Sequence, residues 1–384
     1  MTVEKFIDCI FKAQRPQSEL DELIAHVERA TRLSGDANIV EEFEQALCDY
    51  FGVQYAIAVS SGTAALHASL AETIQQGDEV LLPIVGVPMT AAAILQAGGV
   101  PVFYDISPNS FAPDMNDIQR LDTGKIKAVI TVPMWGYSAM SDELLSYANE
   151  REWVTIEDTA QALGTRVGDA FEGTRGDIGC FSTHEFKLLS TGEGGFVLTN
   201  NPIHAARIRE FTHIGFSTDA GGFGFRSGLN YKLSALQAAL GQSQLSRLEQ
   251  KIADRNEKIQ FWRRMLGIGS TSRLRDFDSG RARHNGYSLA LVLKAAAPGE
   301  ARDISRRLFE ANINTDIHRY KQSYLVNYPM LRPYYQAPRY SMNSATDFPN
   351  ATGIINSLIV LPCHDEITAI DIEIATSRIQ SILI

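Results

Sequence analysis

The chain has 384 residues, 45% apolar and 21% charged, enough for two domains or for one large and one small. Its net charge of −10 argues against a nucleic-acid groove, which needs clustered Lys and Arg. Cys9, Cys48, Cys180 and Cys363 lack metal or disulfide spacing and read as reduced, mostly buried thiols.

The opening stretch, "MTVEKFIDCIFKAQRPQSEL", interrupts its apolar residues with Glu4 and Asp8. A secretory signal wants a basic start and an unbroken apolar core, so this stretch reads as a helix of a cytoplasmic protein. The longest apolar run, "LLPIVGVPMTAAAILQAGG", is broken by Pro83 and Pro88 and is too short to span a bilayer. No membrane segment is expected.

"YAIAVSS" (55–61) reads as a strand leading into "GTAALHASLAETI", where Leu66, Leu70 and Ile74 fall on one helical face. "DEVLLP" then precedes the helix-like "MTAAAILQAG", and "PVFYDI", "AVITVPMW" and "WVTIED" are compact strand-like runs. This alternation predicts an α/β fold, a mostly parallel sheet covered on both faces. Ligands collect at the carboxyl ends of such strands, where "SSGT", "WG", "EDTAQ" and "STHEFK" sit.

From Leu233 the stretch "LSALQAALGQSQLSRLEQKIADRNEKIQFWRRML" reads as one long amphipathic helix, followed by a polar loop over 268–286. "YSLALVLK" reads as a strand, "ARDISRRLFEA" as a helix and "DEITAIDIEIATSRIQSIL" as a closing helix. The expected organisation is an N-terminal helical segment (1–35), a large domain (36–250) and a smaller C-terminal α/β domain (251–384).

The chemistry gathers around Lys187, in "GDIGCFSTHEFKLLSTGEGGFVLTN". Asp158 ends a strand upstream and is followed by Gln161. Ser60, Ser61, Gly62 and Thr63 form a strand-to-helix turn whose free N–H groups and helix dipole suit a phosphate, and Ser182 adds a hydroxyl. Lysine, buried carboxylate and phosphate seat together match the needs of pyridoxal 5′-phosphate: a Schiff-base partner, a group that keeps the ring nitrogen protonated, and an anchor.

These motifs, with "VEEFEQALCDYFGVQYAIAVSSGTAALHASL", "GLNYKLSALQAALGQSQL" and "LPCHDEIT" in the same order, resemble the DegT/StrS type of sugar-nucleotide aminotransferases among the fold-type I enzymes. The resemblance implies a large domain with a seven-stranded, mostly parallel sheet. It also implies that Lys187 carries the cofactor and moves protons, that Asp158 pairs with the ring nitrogen, and that Gln161 lies beside the ring's 3′-oxygen. Gly62, Thr63 and Ser182 would hold the phosphate. Asn230 would reach the cofactor of a neighbouring subunit, which makes a homodimer part of the expectation. His184 is either a packed residue or a contact to substrate or cofactor. His318 and Arg319 match a segment entering the active site; Arg319 would meet a donor carboxylate or a nucleotide phosphate, or be a solvated loop residue.

The sequence departs from that pattern where an aromatic residue usually stacks on the ring. The matching position is Val87, which covers by dispersion alone, and Trp135 is the alternative aromatic surface. The expected activity is transfer of an amino group from glutamate or glutamine to a keto or aldehyde carbon of a sugar, nucleotide-linked or free, or of a cyclitol. The alternatives are a dehydratase or lyase on the same scaffold, whose dehydratases carry histidine in place of the lysine, and a non-catalytic regulator or partner subunit.

Overall fold

The computed structural model describes Ile7 and residues 16–29, 32–217, 221–223, 226–269, 272–277, 282–315 and 324–383. Runs of branched and aromatic residues become strands: β1 (Tyr55–Val59), β2 (Glu79–Pro83), β3 (Val100–Tyr104), β4 (Ile126–Thr131) and β5 (Val154–Asp158). A short ribbon of β6 (Arg166–Val167) and β7 (Ala170–Phe171) follows, then β8 (Ile178–Ser182) and β9 (Gly195–Thr199). Among the described residues they form a seven-stranded sheet in the order β1-β9-β8-β5-β4-β2-β3, with β6 and β7 outside it. Neighbours from β8 to β3 are parallel, while β9 runs against both of its neighbours.

Helices α1 (Gln17–Arg29) and α2 (Asn38–Phe51) precede the sheet. The crossovers α3 (Gly62–Thr73), α4 (Pro88–Gln96), α5 (Met115–Leu121) and α6 (Asp142–Glu150) connect its strands, and α7 (Pro202–Thr212) follows it. Side-chain caps start several of them: Ser61, Asp114, Ser141 and Asn201 each accept a bond from an amide of the first turn. Helices on both faces explain why Val80, Leu81 and Leu82 of β2 are all buried instead of alternating. Leu66 and Leu70 pack with them on one side, joined by Ile74 just past the helix end. Phe43, Phe51, Phe181 and Phe196 form the core of the other side.

The long helix expected from Leu233 is two helices, α8 (Ala235–Leu245) and α9 (Leu248–Met265), broken at Ser246–Arg247. Their packing demands differ. Helix α8 lies so close to α2 that a Cβ on Gly241 would come within 2.7 Å of the Phe43 ring. Helix α9 instead carries Ile259 and Trp262 into the C-terminal core, and a straight rod does not reach both.

That core covers a second, three-stranded antiparallel sheet of β10 (Leu274–Asp276), β12 (Ser288–Leu293) and β13 (Leu358–Pro362), with β12 in the centre. The pair β11 (Ala282–Arg283) joins β6, tying this part of the chain to the ribbon beside the large sheet. Both β10 and β11 fall in the stretch expected to be loop; at three and two residues they are too short to show a period. Helices α10 (Glu300–Glu310), α11 (Ser344–Asp347), α12 (Pro349–Ser357) and α13 (Ala369–Leu383) complete the chain.

The N-terminal segment is helical over Gln17–Arg29 and not helical at Ile7. Ile7 forms a parallel bridge with Ile313, donating to the Asn312 carbonyl and accepting from the Asn314 amide, both at 2.8 Å. The rest of residues 1–15 lies outside the described residues, and α1 starts at Gln17. Cys180 and Cys363 are buried free thiols and Cys48 is half-buried; Cys9 lies outside the described residues. Among the described residues no helix is long and apolar enough to cross a membrane.

Candidate active site

The carboxyl ends of β1, β5 and β8 converge on one cavity of about 290 Å³. Its floor is the start of α3. Ser61 caps that helix, its side chain accepting from the Ala64 amide at 3.0 Å. The Gly62 and Thr63 amides sit at the first two helical positions, where no carbonyl one turn earlier exists to receive them. They are donors at the positive end of a helix, a ready anion seat.

The glycines there are required by contact. A Cβ on Gly62 would stand 2.8 Å from the Ser182 Cβ. At the head of β9, a Cβ on Gly195 would lie 2.7 Å from the Ser61 carbonyl carbon and 2.8 Å from the Gly62 nitrogen. Only bare backbone lets β8, β9 and the α3 turn meet around the seat.

Side chains alternate along β5, so Asp158 and Glu157 point to opposite faces. Asp158 lines the cavity at 3% exposure. Burial pushes its pKa above the usual carboxylate range, against the opposing pull of the Thr90 hydroxyl and the positive charge of Lys187. Thr90 Oγ1 donates to Asp158 Oδ2 at 2.5 Å. Gln161 Oε1 accepts from the Trp135 amide at 2.7 Å, and the Gln161 carbonyl accepts from Asn285 Nδ2 at 3.0 Å. The residue is thereby fixed at the wall.

Lys187 projects from the loop between β8 and β9, where its own amide bonds to the His184 carbonyl at 2.9 Å. Its Nζ lies 5.6 Å from the centre of the Tyr287 ring. His184 stands at the mouth, with Nε2 3.6 Å from Glu193 Oε1 and its ring edge-on to Phe186. Val87 caps α4 and lines the cavity, with Met89, Met134 and Leu66 adding apolar wall. Trp135 points elsewhere: it is buried with its ring 5.5 Å from that of Phe111 and is absent from the lining.

One cavity therefore gathers Gly62, Thr63, Val87, Asp158, Gln161, Ser182, His184 and Lys187. Asn230 is exposed outside it, on an extended segment that bridges His213 and whose next residue, Tyr231, receives the Ser60 amide at 2.7 Å. His318 and Arg319 lie outside the described residues. Sequence reasoning missed Thr90, Tyr287, Met134 and Glu193. Glu193 lay in plain view in the "TGEGG" stretch, whereas Tyr287 carried no local signal. Among the described residues no group of His, Cys, Asp and Glu is arranged to hold a metal ion.

Residues 15–380 match the model of the DegT/DnrJ/EryC1/StrS aminotransferase family. The chain is 33% identical over 237 residues to GDP-perosamine synthase of Caulobacter vibrioides, covering 62% of this chain and 64% of that protein. It is 30% identical to the spore coat polysaccharide biosynthesis protein SpsC of Bacillus subtilis, across 90% of this chain and 89% of that one. The matches to the first four curated relatives span under two thirds of their length, from 47% to 65%. Helicobacter pylori PseC, an aminotransferase involved in pseudoaminic acid biosynthesis, superposes with a TM-score of 0.85 at 21% identity, covering 99% of each chain. That likeness shows the shared fold.

Proposed function

The chain belongs to the DegT/DnrJ/EryC1/StrS aminotransferase family, and from that premise we propose that it is a pyridoxal-phosphate-dependent aminotransferase. It takes an amino group from glutamate or glutamine and delivers it to a keto or aldehyde carbon of a sugar, nucleotide-linked or free, or of a cyclitol. The observation that carries this reading is the meeting of Lys187, Asp158 and the open amides of Gly62 and Thr63 in one cavity.

The residues present fit the cofactor. A carboxylate buried to 3% exposure calls for a cationic neighbour, and a protonated ring nitrogen is one. The glycine cradle between Gly62, Ser182 and Gly195 leaves room for a phosphate against the helix start. When bound, pyridoxal phosphate supplies a reactive aldehyde and a ring that draws electrons away from the reacting carbon. Lys187 would hold it through Nζ and would hold or move the proton at the reacting carbon. Asp158 keeps the ring nitrogen protonated, Gln161 steadies the ring edge, and Ser182 with the α3 amides holds the phosphate.

His184 and Glu193 at the mouth meet the substrate. The enzyme works in the cytoplasm as a homodimer in which Asn230 reaches toward the neighbouring subunit's cofactor. Phe216, Phe223, Leu229 and Leu236, all more than a third exposed around that segment, support an association face.

The test is spectroscopic. Protein loaded with pyridoxal phosphate should show a visible band that glutamate or glutamine bleaches and a keto-sugar restores, and Lys187→Ala should lack that band. A panel of nucleotide-linked sugars, free keto-sugars and cyclitols then sorts the acceptor. A band that no amino donor alters would favour the non-catalytic reading and reject this one.

A further inference from the structure

The segment "PIVGVPMT" departs from the family pattern at Val87, yet the same helix start does a second job three residues later. Val87 is the N-cap of α4, Pro88 occupies the first helical position, and Thr90 follows on the first turn. Val87 faces the cavity, whereas Thr90 is turned inward at 1% exposure with its hydroxyl 2.5 Å from Asp158 Oδ2. One turn of helix thus presents an apolar cover on one side and a proton donor on the other.

We propose that Thr90 is the positioning residue for Asp158: its hydroxyl locks the carboxylate and keeps it ionised, leaving Oδ1 to accept the N–H of the cofactor ring. This rests on the reading of the site given above. Three features of the geometry carry it. Beside the Thr90 hydroxyl, the Ala160 amide also approaches the carboxylate, at 3.4 Å from Oδ1, too long to orient it. The Thr90 bond is short and wholly buried, conditions in which a bond to a charged acceptor is strongest. One end lies on the α4 crossover and the other at the carboxyl end of β5, 68 residues apart in the chain, so the bond fixes the α4 turn that bears Val87 to the strand end that bears Asp158. Removing the hydroxyl leaves a buried carboxylate without its donor. Burial then favours the neutral acid, which cannot support a protonated ring.

Val87 lines the cavity, where an aliphatic group packs by dispersion; Thr90 touches the acid, where no apolar group of similar shape supplies a proton.

The experiment compares wild type, Thr90→Val and Thr90→Ser in the full-length chain. Cofactor affinity is read by equilibrium dialysis, and ring protonation by the 15N shift of pyridoxal phosphate labelled at the ring nitrogen. Thermal melting of the cofactor-free forms verifies folding, and Thr90→Ala carries the same test should Thr90→Val not fold. The hydroxyl-free variant should bind pyridoxal phosphate about tenfold or more weakly, the loss expected for a bond to a charged group. Its 15N signal should move to the unprotonated position, with Thr90→Ser restoring both readouts. A hydroxyl-free variant that protonates the ring and binds within about twofold of wild type overturns the role of Thr90 alone. A wild-type chain that takes up no pyridoxal phosphate, or leaves its ring nitrogen unprotonated, overturns the reading of the site and this inference with it.

Discussion

The side-chain nitrogen of Lys187 stands 5.6 Å from the centre of the Tyr287 ring, so a residue at the start of the central strand of the C-terminal sheet forms one wall of a site built on the large sheet. Lys187 lies between β8 and β9, and Tyr287 immediately precedes β12. Neither sheet completes the cavity without the other.

That contact predicts a graded response. Tyr287→Leu should lower kcat/KM roughly two- to fivefold, the equivalent of about 0.5–1 kcal/mol for a cation over an aromatic face. Tyr287→Phe, which keeps the ring, should stay close to wild type. Steady-state kinetics with the preferred donor measures both, and equal impairment of the two variants would move the role from the ring to the hydroxyl.

Gly62→Ala should weaken cofactor binding more than it weakens the fold. The added methyl would meet Ser182 Cβ at 2.8 Å, and the simplest relief is to part the α3 turn from β8. An affinity loss of about tenfold is expected, equal to one charge-assisted bond of about 1.5 kcal/mol. Dialysis of the variant against pyridoxal phosphate checks this; unchanged affinity would mean that the phosphate sits elsewhere.

Behind Asp158, Glu157 points into the opposite face of β5 and accepts from the amides of Gly173, Arg175 and Gly176 at 2.7–2.8 Å. Burial, followed by the charge of Glu172, pushes its pKa up to about 7 against an ordinary 4.5. Between those values the unfolded chain sheds a proton that the folded chain keeps, so rising pH favours unfolding. The stability this group contributes is full below pH 4.5 and lost as pH climbs to about 7. Glu157→Gln removes the titration. Urea melts at pH 5 and pH 7.5 should show a smaller drop for the variant than for wild type, and parallel drops would refute the assignment.

Glu44 anchors α2 to the sheet. Its two oxygens take Arg209 Nη1 and Nη2, both at 2.7 Å, and Oε1 also accepts from the Ala58 amide in β1 at 2.7 Å. Because the arginine is about a third exposed, Glu44→Ala should cost about 2 kcal/mol, less than the loss of a fully buried pair. Urea denaturation followed by circular dichroism measures it, with activity of the folded fraction unchanged.

Much of this site was legible because its motifs are local. Gly62 and Thr63 follow a strand and open a helix, Asp158 ends a strand, and Ser182 and Lys187 frame one loop. Each announces itself through neighbours a few residues away. Thr90 does not, since its meaning comes from an acid 68 residues distant. Tyr287 reads as the start of an ordinary buried strand. Trp135 was the aromatic candidate for the ring face, but packing against Phe111 draws it into the core and turns Met134 to the cavity.

By itself, the order of residues determined the alternation of strands and helices, the strand-to-helix turn at Ser61, and the chemical character of the site. Period, caps and turns act over a few residues, so they are written where they act. Tertiary packing decided the break between α8 and α9, the pairing of β11 with β6, the inward turn of Trp135 and the bond from Thr90 to Asp158. Each of these depends on which distant surface arrives opposite, and burial and donor–acceptor matching select it only once the chain has closed on itself.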